Sequence, residues 1–110
     1  MNKNYNAMTV EELDAEIERL LQDTADIDSL EPKTRAALFG TVCQMINRLA
    51  DGQKKHGSAW SRPGWEKECA KIAWQHIVEG NLVDAMNYMF FMNANGVDSK
   101  LIFEASRGTI

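Results

Sequence analysis

A chain of 110 residues, 45% hydrophobic and 25% charged, has the size and make-up of one globular domain around one core. No apolar run approaches the roughly 18–20 residues of a membrane helix, and the opening MNKNYNAMTVEEL has no apolar leader segment, so the expectation is a cytoplasmic protein with no membrane partner. The net charge of −4 divides unevenly: residues 1–31 hold nine acids and two bases, residues 32–110 ten bases and seven acids, with no long basic face, so duplex nucleic acid is not an expected partner.

Thr9-Val10-Glu11-Glu12 is a capping box, in which hydroxyl and carboxylate each take one free N–H of a helix start. Val10, Leu13, Ile17, Leu20 and Leu21 then repeat at helical spacing and predict a first helix ending near Gln22. A polar linker follows to Glu31. Residues 1–31 thus read as an acidic helix and linker, and residues 32–110 as the helical body of the same single domain.

Pro32 suits the first position of a second helix. Leu38, Val42, Met45, Ile46 and Leu49 supply its stripe to about Ala50, and Asp51 to His56 either extend it or fray. Gly40 within it is a candidate for a close helix crossing. Gly57 to Gly64, GSAWSRPG, predicts a loop. Trp60 there is either a plug over the core or a stacking platform for a base.

A third helix is predicted from Trp65 to Glu79, with Trp65, Cys69, Ile72, Ala73, His76 and Ile77 on one face. Gly80 suits the position just past a helix end and Asn81 the cap of the next helix. That fourth helix carries Leu82, Met86, Met89, Phe90 and Phe91 to Asn95-Gly96. A short last helix capped by Asp98 holds Leu101, Ile102 and Ala105. No stretch alternates as a strand would. The expected fold is all-α: four to five helices in a small bundle around a central antiparallel hairpin, dimeric or higher. Cys43 and Cys69 lie on apolar helical faces and read as buried thiols of a reducing compartment; a disulfide stays open, and they form no metal cluster.

Polar groups on the hairpin are the candidates for chemistry. Asp84, Asn87 and Tyr88 share one side of the fourth helix by their spacing. Glu68, Lys71, Gln75 and Glu79 follow one flank of the third. Hard cations such as Mg²⁺ take oxygen ligands from carboxylates, waters and substrate phosphates, and Asp84 with Glu68 or Glu79 supplies two. Each residue also has a plainer reading. Asp84 near a helix start favours the dipole. Glu68 and Glu79 suit a solvated surface. His76 on an apolar stripe suits a hydrogen-bonded core position. The Met86, Met89, Met92, Phe90 and Phe91 set suits a core or a subunit seam. Asn87 among methionines and phenylalanines is the most informative, because a buried amide needs partners from a neighbouring helix or a ligand.

The order of helix, Glu-Gly turn, D-x-x-x-Y helix from Asp84 to Tyr88, then Gly96-Val97-Asp98 and a short helix resembles the MazG-like all-α NTP pyrophosphohydrolases. The lead-in KKHGSAWSR is similar to that of their small phage-encoded relatives, including dATP/dGTP diphosphohydrolase-like members. The similarity covers about residues 53–105. It implies a helical dimer or tetramer that cleaves a nucleoside triphosphate between its α and β phosphates, with Mg²⁺ held by E-x-x-E on one helix and E-x-x-D on the next. E-x-x-D falls on Asn81-Leu82-Val83-Asp84 and keeps only Asp84. E-x-x-E falls on Glu68-Cys69-Ala70-Lys71, or one turn earlier, and keeps only Glu68.

The first functional expectation is therefore a phage-type, Mg²⁺-dependent pyrophosphohydrolase. Glu68, Asp84 and Glu79 serve the metal and catalysis. Lys54, Lys55 and Lys71 neutralise phosphate, Trp60 or Tyr88 stacks on the base, and Asn87 and His76 contact the nucleotide. The second is a non-catalytic helical accessory or anti-defence protein that binds a nucleotide or a host protein. The third is a helical assembly module.

Overall fold

A computed structural model describes residues 5–57 and 64–110. Five α-helices, α1 (Val10–Asp23), α2 (Pro32–His56), α3 (Trp65–Glu79), α4 (Leu82–Ala94) and α5 (Lys100–Ser106), make up the fold, with short 3₁₀ turns at Tyr5–Ala7 and Ile27–Ser29. Among the described residues there is no strand, and no helix is long and apolar enough to cross a membrane.

The helix ends follow local chemistry. At the start of α1 the capping box forms in full: Glu12 N–H donates to Thr9 Oγ1 and Thr9 N–H donates to Glu12 Oε1, both at 3.1 Å. Pro32 opens α2, which runs on through the polar segment Asp51–His56 until Gly57 turns at φ +69°. Between α3 and α4 the elbow is a left-handed Gly80, φ +81°, with its N–H donating to Ile77 O and the Asn81 N–H to His76 O. This closes the last carbonyls of α3 as a glycine-ended helix does. Asn81 occupies the capping position of α4 without capping it through its side chain, which donates to Glu79 Oε2 at 3.4 Å. Asp98 Oδ1 accepts from Lys100 N–H at 2.9 Å and so serves the start of α5, with Ser99 in the cap position itself.

The core lies where α3 meets α4 and α5. Ala70, Ala73 and Ala85 are fully covered, and small side chains of this kind let two helix backbones approach closely. Cys69, Ala70 and Met92 form its centre, flanked by Trp65, Tyr88, Val97, Leu101, Ile102 and Ala105. α2 packs across α4, whereas α1 belongs to none of the main packed pairs.

Three expectations are corrected. Cys43 is exposed; only Cys69 is buried, so the thiols are not a buried pair. Gly40 marks no close crossing, because a Cβ there would meet nothing within 4 Å. The α2 stripe is covered only in part: Leu38, Val42 and Ile46 face solvent, Met45 and Leu49 are half-buried, and no residue of α2 is fully buried.

Candidate functional site

The C-terminal half of α2 stands across the α3–α4 hairpin and leaves a recess of about 910 Å³ between them. Drug- and cofactor-sized ligands occupy clefts of this order. Its α2 wall carries Arg48, Asp51, Gln53, Lys55 and His56. Glu68, Cys69 and His76 line it from α3, and Asp84, Asn87, Tyr88 and Phe91 from α4. The helical period explains the gathering. Residues 84, 87, 88 and 91 are three and four apart on α4, as 65, 68, 69, 72 and 76 are on α3, so one face of each helix turns to the same space.

Asn87 ties the two walls. It is 6% exposed, and its Nδ2 donates to the Met45 carbonyl of α2 at 3.3 Å. A carbonyl on the other side fixes which end of the amide faces it, because the Oδ1 end would meet like charge there. The Oδ1 is thereby turned away, buried and without a hydrogen-bond partner. His76 Nδ1 is in the same condition, and the His76 ring stacks on Tyr88 with centroids 5.5 Å apart. Each such atom costs about 1–3 kcal/mol of desolvation unless a water or a ligand meets it.

Electrostatics within the recess are mixed. Arg48 Nε lies 3.9 Å from Asp84 Oδ1, a second tie between α2 and α4. Lys55 is shared with Asp51 one turn back at 3.1 Å. Burial holds the Cys69 thiol protonated, its pKa pushed up to about 11, and its Sγ–H donates to the Tyr88 carbonyl at 3.3 Å. Cys69 is therefore no nucleophile, because the thiolate is the reactive form. Burial also raises the Tyr88 phenol, helped by the neighbouring Cys69 and Asp84, so Tyr88 stays neutral.

Of the residues expected from sequence, Lys55, Glu68, His76, Asp84, Asn87 and Tyr88 line the one recess. Glu79 does not line it: it sits at the elbow and accepts from Gln75 Nε2 at 3.0 Å. Lys54 and Lys71 are exposed and also lie off the recess. Trp60 lies outside the described residues. Arg48, Gln53, His56 and Trp65 are lining residues that the sequence reading did not name as a site. The signal for the α2 set was present: Arg48, Asp51, Gly52 and Lys55 recur at helical spacing once α2 is allowed to continue past Ala50.

Among the described residues no group of three or more histidine, cysteine or carboxylate side chains is placed to hold a metal ion. The two lining carboxylates on the hairpin, Glu68 and Asp84, do not fit a site built from protein ligands alone. Mg²⁺ takes most of its ligands from waters and substrate phosphates, so two carboxylates are the number such a cation would ask of the protein. Compared with protein-family models, with curated proteins and with solved structures, the chain gives no match.

Proposed function

We propose that this protein binds a (deoxy)nucleoside triphosphate in the recess between α2, α3 and α4, and acts on it as a phage-type, Mg²⁺-dependent pyrophosphohydrolase of the MazG-like kind. The observation that carries the reading is the gathering of Lys55, Glu68, His76, Asp84, Asn87 and Tyr88 on one recess, with the Asn87 Oδ1 and His76 Nδ1 buried and unmatched. A ligand that supplies their partners recovers the cost of leaving them bare.

Each group has a role. The His76–Tyr88 stack presents a flat face to a base. Asn87 Oδ1 is an acceptor only, so it selects a base edge that offers an N–H or an amino group. Arg48 and Lys55 on the α2 wall neutralise phosphate oxygens. Glu68 and Asp84 are the residues that would hold Mg²⁺ together with the phosphates. When bound, Mg²⁺ supplies polarisation of the phosphoryl oxygens and a lowered pKa for a water molecule. In the net reaction one water is consumed, the bond between the α phosphorus and its bridging oxygen breaks, and a nucleoside monophosphate and pyrophosphate leave.

A second reading, a non-catalytic nucleotide-binding accessory protein, is favoured by one observation: Asp84 already pairs with Arg48. One experiment separates the two. The protein is incubated with each dNTP and Mg²⁺, and pyrophosphate release and thermal shift are followed together. Release that Asp84→Ala lowers by about a hundredfold or more supports the enzyme, in line with losing a charge-stabilising group. A thermal shift without release supports the binder. Neither effect with any nucleotide overturns both.

A further inference from the structure

The chain exposes more surface than a folded monomer of its mass does. Its accessible area is 8313 Å², against about 6,100 Å² for a compact monomer of this mass. Its radius of gyration, 15.6 Å, likewise exceeds the roughly 13 Å of a compact chain this long.

Among the described residues, eight of the thirteen exposed large apolar side chains lie on two helices, α1 and α2, and the other five on α3, α4 and α5. On α1, Val10, Ile17 and Leu21 are 69%, 56% and 70% exposed. On the N-terminal half of α2, Leu38, Phe39, Val42 and Ile46 are exposed as well. These two stripes do not cover each other within one chain. The linker between them is fastened in place: Ser29 Oγ donates to Asp26 O at 2.6 Å, and Arg35 on α2 pairs with Asp28 at 2.9 Å.

Their charges are opposite. α1 carries six acids (Glu11, Glu12, Asp14, Glu16, Glu18, Asp23) and one base, Arg19. The half of α2 that carries the exposed stripe has two bases, Lys33 and Arg35, and no acid, whereas Arg48, Asp51 and Lys55 belong to the recess wall. Two copies of either helix side by side would set like charges together, whereas α1 against α2 sets opposite charges around matched apolar stripes.

We infer that the protein assembles with a second copy of itself by laying α1 of each subunit along the exposed face of α2 of the other, twice about a two-fold axis. This inference stands apart from the nucleotide reading, since none of the exposed residues Val10, Ile17, Leu21, Leu38, Phe39, Val42 and Ile46 lines the recess.

The test uses the full chain and two variants, Ile17→Glu on α1 and Phe39→Glu on α2. Both positions are more than half exposed, so neither change disturbs the fold of a single chain, and circular dichroism checks that helix content is kept. Light scattering with gel filtration at micromolar concentration gives the mass. The wild type is expected at twice the chain mass or an even multiple, and each variant alone at the mass of one chain. Mixing the two variants is expected to restore association, because the mixed pair keeps one unaltered α1–α2 contact. A monomeric wild type overturns the proposal, and that is also the result if α1 folds onto its own α2. A wild-type dimer whose two variants fail to complement each other overturns the exchange of α1.

Discussion

Asn87 is satisfied at one end of its amide and bare at the other. That asymmetry sets opposite signs for stability and binding. Asn87→Leu removes one hydrogen bond, worth about 0.5–1.5 kcal/mol, but also removes a buried unmatched carbonyl that costs about 1–3 kcal/mol. The expected result is a melting temperature unchanged or a few degrees higher, together with loss of the nucleotide-induced thermal shift. Thermal melts with and without dNTP check both halves. Cys69 sets the alkaline limit. Its thiol titrates near 8.5 in an unfolded chain and is held protonated in the fold up to about 11. A raised value means the folded state keeps a proton that the unfolded state has released. The stabilisation is complete below about pH 8.5 and is lost as pH climbs toward 11, at most about 3 kcal/mol. Denaturant titrations between those limits should show a shallower pH slope for Cys69→Ser than for the wild type. The carboxylates and Asn87 were legible as candidates because helical spacing alone turns 84, 87 and 88 to one side. The partner of Asn87 was not, because Met45 contributes a backbone carbonyl, which every residue owns and no side-chain pattern announces.

Helix α1 forms largely on its own chemistry. Its capping box is complete, yet it is in none of the main helix pairs. Thr9→Ala should cost about 1 kcal/mol of local helix stability. Hydrogen exchange should show the loss in the first turns of α1, while the α3–α4 amides keep their protection. Gly80 is different, because its left-handed backbone shapes the hairpin itself. Gly80→Ala should cost about 1–2 kcal/mol, read as a lower midpoint in urea with an unchanged slope. The helices were readable almost in full, since caps, glycines and Pro32 state where each begins or stops. α2 was the exception. Its polar end, Asp51–His56, has no apolar stripe, and only Gly57 ends it. Which helix faces are covered was not readable either: an apolar stripe says that burial is favourable, not which surface supplies it, and on α2 Met45 and Leu49 are half-covered while Leu38, Val42 and Ile46 are exposed.

At the scale of the whole molecule, a small core supports a wide exposed area. Cys69, Ala70, Ala73, Ala85 and Met92 are the buried apolar residues among those described. Raised salt should weaken the association inferred from that area, because screening acts first on the opposed charges of α1 and α2. Sedimentation at low and at molar salt, with Ile17→Glu as the monomer standard, checks it.

α2 has a further consequence. It is a rod of 25 residues, about 37 Å long, and the polar ties that join it to the hairpin helices, Met45 to Asn87 and Arg48 to Asp84, lie near its middle. Those ties form a fulcrum. One arm is the naked stripe and the other is the wall of the recess. The exposed stripe and the recess wall therefore belong to one continuous helix. Any coupling between assembly and a guest in the recess must be equal in both directions, and sedimentation with and without dNTP and Mg²⁺ measures it.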